Sequence, residues 1–412
     1  MKKYIALVLC LLMVVSCFVG CGKKEEDYDL VVWTAYAEGT PAYDVACEAI
    51  RAFEESRGVK IKDMHYGSDL ATLLGTALDS GERIDVFPLG SQQQLAAQAE
   101  YTLDLTPYIE ASDYLDRAYP IYMKSIEEFG GFPGEWHAIP TVCSYNAFWY
   151  NKAAFEAAGI TENPETIEEF EAVCEALIDA GYNPIAQDGA YIGSIFGALV
   201  QRMVGEDVAA DLCLNGGFAE NENFVAACDK VLDWVDRGFF DPNSPAEWPA
   251  SQNKIGLTEE NVMVFCGAWV SGEIEEMTGA SLDWGCFKFP YDPEGPGTYA
   301  TTVSCTCNAI NPTCENPDLA WDYLYYMCTG EVDKAITDAD VYVVNDRTME
   351  PLPRFVEAKQ LLEETTEVMD YIGGLHANIN IKTSIADAIT GLYTGAYADG
   401  LEAAQAFDAL LK

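Results

Sequence analysis

The chain has 412 residues, half of them hydrophobic, so it can bury a large core and exceeds the length at which a single core usually stops growing. Its 67 acidic side chains outnumber 23 basic ones and give a formal net charge of −44. Such a surface repels phosphate groups, which excludes nucleic acid and a basic membrane-binding patch and favours a neutral or cationic ligand. Solubility alone is the other explanation for the acidity.

The amino terminus predicts export. Lys2 and Lys3 precede an apolar run over residues 4–15, which is shorter than the roughly twenty residues that a membrane-spanning helix needs. We therefore predict a signal peptide over residues 1–20 and a charged linker over residues 21–28.

The end of this signal resembles a bacterial lipobox. Val19-Gly20-Cys21 implies cleavage before Cys21 and lipidation of that cysteine, which would tether the protein to a membrane without embedding it. Phe18 departs from the leucine that is usual at the first position of the box. A secreted form without a lipid therefore stays open.

Short apolar strands alternate with helical patterns in the first hundred residues. Strands are predicted at residues 30–33, from residue 59 onward and at 84–89, with a helix at 69–78 between the last two. Strands alternate with helices in this way when parallel βαβ units form. The first part of the chain is therefore predicted to be an α/β lobe.

The rest of the chain keeps the α/β pattern with more helix. Thr166 and Glu169 have the spacing of a capping box, which predicts a helix that ends at Gly181. Further strands are predicted at 138–142, 147–150 and 262–265, and further helices at 223–237, 318–327, 355–371 and 384–411, the last with a break at Gly395.

The cysteines do not indicate a disulfide framework. Eleven follow Cys21, an odd number without tight paired spacing, and most have apolar neighbours, as small buried hydrophobic residues do. We predict free thiols and a reducing habitat. Cys305, Cys307 and Cys314 have the residue type of metal ligands, but no histidine is near them, so no metal ligand and no cofactor is predicted.

Several segments, taken together in order, resemble a known family. They are residues 30–33, 85–87 with 103–108, 138–141 with 149–152 and 164–170, 262–269, and 316–326. Their order and spacing resemble the extracellular solute-binding proteins of bacterial ABC importers, in the carbohydrate-binding branch typified by maltose-binding protein. The resemblance covers nearly the whole chain after the signal.

This resemblance implies an α/β, two-lobed, periplasmic-binding-protein-like fold with three interlobe crossings and a ligand cleft between the lobes. The crossings would fall near residues 141–144, 299–305 and 341–346. Lobe one would comprise residues 29–142 plus 303–342, and lobe two residues 143–302 plus 343–412. The protein would be a lipid-anchored, monomeric and non-catalytic receptor on the extracellular face of the membrane, which passes a sugar to an ABC transporter permease.

The resemblance also selects candidate ligand contacts. A sugar needs an aromatic ring beneath its C–H face and polar groups around its hydroxyls. Trp269 falls where the family places a stacking ring, with Gly267 clearing the approach, although a core position is the alternative. The other candidates are Tyr36 and Glu38 after the first strand, Ser91, Gln92 and Gln93 after the third, Ser144 and Tyr145 on the first crossing, and Trp136, Asp188, Trp248 and Asn378 in loops.

Two other functions stay open at this point. One is a binding protein for a cationic solute such as a polyamine, which the acidity, Glu38 and Asp188 favour. The other is a secreted glycoside hydrolase, which needs two carboxylates about 5–10 Å apart. The sequence singles out no such pair.

Overall fold

The computed structural model describes residues 27–412. The predicted signal peptide, Cys21 and all but the end of the predicted linker lie outside this range. The strands are β1 (Leu30–Thr34), β2 (Ile61–His65), β3 (Val86–Leu89), β4 (Ile139–Tyr145), β5 (Ala147–Asn151), β6 (Asn183–Ile185), β7 (Asn261–Cys266), β8 (Trp284–Phe287) and β9 (Val303–Ile310).

Helices surround these strands. In the first half of the chain they are α1 (Pro41–Arg57), α2 (Leu70–Asp79), α3 (Gln92–Ala97), α4 (Thr106–Glu110), α5 (Tyr114–Arg117), α6 (Pro120–Gly130), α7 (Lys152–Ala157), α8 (Ile167–Asp179) and α9 (Ile192–Met203). They continue as α10 (Glu206–Asn215), α11 (Glu222–Asp236), α12 (Lys254–Leu257), α13 (Trp269–Thr278), α14 (Pro317–Met327), α15 (Gly330–Ala339), α16 (Val356–Glu364), α17 (Lys382–Tyr393) and α18 (Gly400–Ala409).

The first lobe is built on a five-stranded sheet with the order β2-β1-β3-β9-β4. β1 pairs in parallel with β2 and β3, whereas β9 runs antiparallel to both β3 and β4. All five residues of β1 are buried, as expected for a strand with helices on both faces. Thr40 caps α1, Pro41 begins it, and Gly58 ends it in the left-handed conformation.

The second lobe is built on a four-stranded sheet with the order β6-β7-β5-β8. β6 and β7 are parallel, and β5 runs antiparallel to β7 and β8. The largest hydrophobic core of the protein lies in this lobe and includes Phe148, Phe170 and Trp234. The two sheets together show the two-lobed α/β fold that the resemblance implies.

The chain passes between the sheets at closely joined points. Only Asn146 separates β4 in the first sheet from β5 in the second. Its N–H donates to the carbonyl of Thr302 at 3.0 Å, and the Thr301 hydroxyl donates to the Asn146 carbonyl at 2.8 Å. The first and second crossings are therefore hydrogen-bonded to each other.

A third connection follows α15. The Asn345 side-chain amide donates to the Thr141 carbonyl, and Val343 and Val344 are fully buried. The lobe boundaries predicted from the resemblance remain a proposal.

Most predicted elements are confirmed, including the capping box formed by Thr166 and Glu169. The helix predicted over residues 355–371 is wrong in its second half, because α16 ends at Glu364. Val368 forms a β-bridge with Thr301, and the Met369 N–H donates to the Thr301 carbonyl at 3.0 Å. Pairing with the second crossing therefore replaces the helix.

The eleven cysteines of this range are free thiols, and all except the half-buried Cys47 are buried. Their burial confirms that they act as small hydrophobic residues. Across residues 27–412, no helix combines the length and apolar character needed to span a bilayer.

Candidate functional site

The carboxyl ends of β1, β2 and β3 meet at one edge of the first sheet, which is where open α/β sheets bind ligands. A groove of about 610 Å³ opens there. Main chain and short or amide side chains form much of its wall, including Gly67, Ser68, Gly90, Gln94 and Thr306. This wall offers hydrogen-bonding groups and close backbone approach.

Tyr36 stands beside this groove, in the loop after β1. It lines a narrower cavity together with Trp33, Thr141 and Asp333. Its ring packs on the core of the first lobe but is only half-buried. Burial, and after it the neighbouring Cys328 and the carboxyl groups of Asp333 and Asp340, raises the pKa of its hydroxyl well above the usual value. Tyr36 is therefore a neutral hydroxyl on a concave wall.

The remaining predicted ligand contacts on this lobe differ in exposure. They are Glu38 in the loop after β1, and Ser91, Gln92 and Gln93 after β3. Glu38 and Gln93 are exposed, and Ser91 is half-buried. Gln92 is buried, and its side-chain amide N–H groups donate to the Val303 carbonyl at 2.6 Å and to the Ser125 hydroxyl at 3.0 Å.

The Gln92 side-chain carbonyl is also engaged with the protein. It accepts from the Cys305 N–H at 3.0 Å. Gln92, predicted as a ligand contact, thus holds the start of β9 in place and does not face the groove.

On the second lobe, aromatic rings gather around the carboxyl end of β7. The Tyr191 hydroxyl lies close to the side chains of Trp269 and Trp248. Tyr371 lies within electrostatic range of Tyr191 and of Cys266, the last residue of β7. Tyr342 lies near Cys266 and Glu273. We call these five rings the aromatic cluster: Tyr191, Trp248, Trp269, Tyr342 and Tyr371.

The cluster can be reached by solvent. Trp248 is 42 % exposed, and the other four rings are half-buried. Burial nevertheless raises the pKa of the Tyr342 hydroxyl to about 12, with contributions from Asp340, Glu273 and Cys266. Rings that are surrounded by protein yet open to solvent form the wall of a cleft.

Trp269 begins α13, directly after β7, and its ring lies against the backbone of Gly267. A Cβ at Gly267 would come within 3.0 Å of three carbons of that ring. The sequence suggested that Gly267 clears the approach of a sugar. In the structure, the missing side chain makes room for the Trp269 ring itself, and this fixes the ring at the end of the strand.

Asp188 supports the cluster from behind. It is 1 % exposed, and its two carboxylate oxygens accept from the N–H groups of Ser251 and Gln252, each at 2.9 Å. These bonds hold the loop that carries Trp248. Asp188, predicted as a ligand contact, therefore positions that loop and is not itself exposed to the cleft.

The two candidates on the first crossing are also internal. The Ser144 hydroxyl accepts from the Ala268 N–H at 2.8 Å, which joins the crossing to the residue before Trp269. Tyr145 is completely buried. Ser144 and Tyr145, predicted as ligand contacts, therefore pack the hinge.

Trp136 and Asn378 lie apart from the groove. The Trp136 carbonyl accepts a hydrogen bond from the Leu105 N–H. Two residues earlier, the Leu103 N–H donates to the carbonyl of Ile310, which ends β9 and pairs with the start of β3. Trp136 is therefore at the opposite edge of the first sheet from the groove, and its prediction as a cleft rim is wrong. The Asn378 side chain caps a short turn and donates to the Cys213 carbonyl at 3.2 Å.

Asp340 links the two sides of the site. It is exposed, and it lies within electrostatic range of Tyr36 on the first lobe and of Tyr342 in the aromatic cluster. Val341 next to it contacts α13, since a Cβ at Gly272 would lie 2.9 Å from a methyl group of Val341. Residues 340–342 therefore lie near both Tyr36 on the first lobe and the start of α13 on the second.

Sequence reasoning missed Tyr191, Tyr342, Tyr371, Glu273 and Asp340. Tyr191 stands three residues after Asp188, so its loop was identified but its ring was not. The other four follow no strand pattern that marks a cleft. Chemically, the site offers ring faces with carboxylates and hydroxyls beside them, and this combination suits a polyhydroxylated ligand.

Comparison with known proteins places the chain in context. A family model for bacterial extracellular solute-binding proteins matches residues 48–363. No curated protein matches the sequence.

Solved structures share the fold at low sequence identity. One is described as a probable secreted solute-binding lipoprotein from Streptomyces coelicolor, with a TM-score of 0.76, 18 % identity, and coverage of 94 % of this chain and 99 % of that one. Apo RafE from Streptococcus pneumoniae has a TM-score of 0.74, 20 % identity, and coverage of 93 % and 97 %. RafE in complex with raffinose has a TM-score of 0.66, 19 % identity, and coverage of 92 % and 98 %.

Proposed function

Because the chain belongs to the bacterial extracellular solute-binding proteins, a family of binding proteins and not of enzymes, we propose that its solute is a neutral oligosaccharide. The sugar binds in the space between the first-lobe groove and the aromatic cluster. The loaded protein delivers it to the permease of an ABC importer. Lipidation at Cys21 keeps the protein at the membrane surface.

The aromatic cluster is the observation that carries this proposal. Trp269 and Trp248 offer two large rings that are partly open to solvent, and the Tyr191 hydroxyl lies close to both. A ring face stacks on the C–H face of a sugar, and two indole rings offer more apolar surface than a small amino-acid solute can cover. The raffinose bound by RafE, a protein of the same fold, also supports a sugar ligand.

A cationic solute is the second candidate, because carboxylates border the same space. Asp340 is exposed, and Glu273 lies beside the cluster and accepts from the side chain of Gln252. A polyamine would place its ammonium groups against these carboxylates and its methylene chain against the rings. Its binding would weaken steeply with salt, whereas sugar binding would not.

The deciding experiment is a thermal-shift and calorimetry screen of the protein against neutral oligosaccharides, with raffinose among them, and against spermidine and amino acids. A ligand that binds only the folded state raises the melting temperature. We expect a shift with at least one oligosaccharide and none with spermidine. Stabilisation by spermidine alone, weakened by salt, would show that the solute is cationic. Cleavage of a sugar on prolonged incubation would show that the protein is a glycoside hydrolase.

A variant pair then locates the site. Trp269→Ala removes a central aromatic anchor, a change that commonly costs about 2 kcal/mol or more, so we expect sugar affinity to fall at least roughly thirtyfold. Trp136→Ala is the matched control, because Trp136 lies at the opposite edge of the first sheet. Equal losses in the two variants, or a normal affinity in the folded Trp269→Ala protein, would move the site elsewhere.

A further inference from the structure

Three side chains with different metal-binding groups meet on the first lobe. Cys47 projects from α1, and Asp63 and His65 lie two residues apart on β2. One ligand atom from each of them lies within 4.8 Å of the other two. The side chains of His65 and Asp63 are 13 % and 16 % exposed, and Cys47 is half-buried, so the group is sheltered but within reach of solvent.

Two of the three distances between these atoms match a tetrahedral zinc site, and the third is below 4.8 Å. With a Zn–S bond of about 2.3 Å and a Zn–N bond of about 2.05 Å, tetrahedral angles place sulfur and nitrogen about 3.5 Å apart. The Cys47 Sγ and His65 Nε2 atoms are 3.6 Å apart. A nitrogen and a carboxylate oxygen on the same ion would be about 3.3 Å apart, and His65 Nε2 lies 3.1 Å from Asp63 Oδ2.

Neighbouring side chains orient two of the three groups. The other ring nitrogen of His65, Nδ1, lies 2.7 Å from the Thr34 hydroxyl. If Nδ1 carries the proton and donates it to Thr34, Nε2 is left with its lone pair facing Cys47 and Asp63. Arg51 pairs with the other Asp63 oxygen, Oδ1. Metal-binding histidines and carboxylates are typically held by such outer hydrogen bonds.

We propose that Cys47, Asp63 and His65 bind one zinc ion on the first lobe. Binding breaks the Cys47 S–H bond, forms the Zn–S bond and releases that proton to solvent. The His65 ring keeps its single proton, on Nδ1. Three protein ligands leave the fourth position for water, and the ion ties α1 to β2.

A second group in the protein provides an internal comparison. Asp104, Glu135 and His137 also bring one ligand atom each within 4.8 Å of one another. This group has no thiol, Glu135 is exposed, and Asp104 accepts from the Thr106 N–H at 2.9 Å. Zinc prefers sulfur and nitrogen ligands, so we expect the group around Cys47 to bind it first.

The test uses the full chain, reduced, stripped of metal by a chelator and titrated with Co²⁺. A cobalt–thiolate bond gives a charge-transfer band in the near ultraviolet, which reports sulfur coordination directly. We expect a band that saturates at one equivalent, disappears when Zn²⁺ displaces Co²⁺, and accompanies release of one proton. Zinc should also raise the melting temperature.

Variants separate the site from unspecific thiol binding. Cys47→Ala should abolish the band although ten other described cysteines remain. His65→Ala should weaken metal binding at least tenfold, and Thr34→Val by about tenfold through loss of orientation. His137→Ala is the matched control and should bind cobalt like the wild type.

Three results would overturn the proposal. They are the absence of a band in protein that folds normally by circular dichroism, an unchanged affinity in His65→Ala, or loss of binding only in His137→Ala. The first would mean that the group is a hydrogen-bond network in which His65 Nε2–H donates to Asp63. None of these results bears on the sugar screen, so the two proposals fail independently.

Discussion

A single methyl group at Gly267 is expected to displace the ring that we assign to sugar stacking. In Gly267→Ala the new carbon would lie within 3.0 Å of three carbons of the Trp269 ring. Ordinary carbon contacts need about 3.5 Å or more, so the ring must retreat by well over about one ångström, and a tightly packed site resists this. Overpacking of this kind costs about 1–3 kcal/mol of folding stability.

The measurement is a double-mutant cycle of urea unfolding with Gly267→Ala, Trp269→Ala and the double variant. If the clash with Trp269 is the cause, Gly267→Ala should cost almost nothing once the ring is gone, and the coupling energy should match the single-variant loss. Gly189→Ala is the control, because its added carbon would lie 3.5 Å from the Ala246 carbonyl, an ordinary contact.

Sugar binding gives the second readout. With the ligand found by the screen, Gly267→Ala should lose affinity toward the level of Trp269→Ala, whereas Gly189→Ala should bind like the wild type. An equal stability loss in the presence and absence of the Trp269 ring would refute the reasoning.

Four other outcomes are expected. Gln92→Leu should lower the free energy of unfolding, measured in urea, by about 3 kcal/mol, because it leaves backbone groups at the buried start of β9 without their hydrogen-bond partners. Gln93→Leu is the control: this side chain is exposed, so the free energy of unfolding should change by less than about 0.5 kcal/mol. Burial raises the pKa of Asp333 from 3.8 to about 7, so its contribution to stability is full below pH 4 and is lost as the pH rises through 7. Urea unfolding at pH 5 and pH 8 should show a smaller difference in Asp333→Asn than in the wild type, and equal differences would contradict this assignment. In a bacterium that processes lipoproteins, the wild type should fractionate with membranes and Cys21→Ala should not. Equal membrane association of the two proteins would contradict lipidation at Cys21. Denatured, unreduced protein should titrate with most of its eleven cysteines after Cys21 free, and four or five disulfides would reverse that reading.

The sequence was sufficient for six of the nine strands of residues 27–412, because their signal is local, but it did not predict β6, β8 and β9. β1 and β7 are short apolar runs with every residue buried, and Thr166 with Glu169 marks a helix start through contacts three residues apart. The end of α16 could not be predicted in this way. The segment after Glu364 pairs with Thr301, which is distant in sequence, and this partner has no local signal.

Side-chain direction limited the prediction of the site in the same way. Gln92 follows a strand in the expected place, but its hydrogen-bond partners belong to β9 more than two hundred residues later, and they turn it inward. Trp269 was predicted from the family resemblance, with a glycine and the end of a strand before it as local marks. Tyr342 and Tyr371 reach the cluster from the third crossing and the loops after it, so only the folded chain brings them together.

The bonds that join the crossings restrict how the two lobes can move. Asn146 is held to Thr301 and Thr302, so the first two crossings are expected to turn together as one unit. The third connection is fixed to one lobe at Asn345 and packs against the other at Val341, which leaves three residues between them to absorb the turn. We therefore expect the cleft to open by rotation of the lobes about these crossings, so that its width at any point grows with the distance from Asn146.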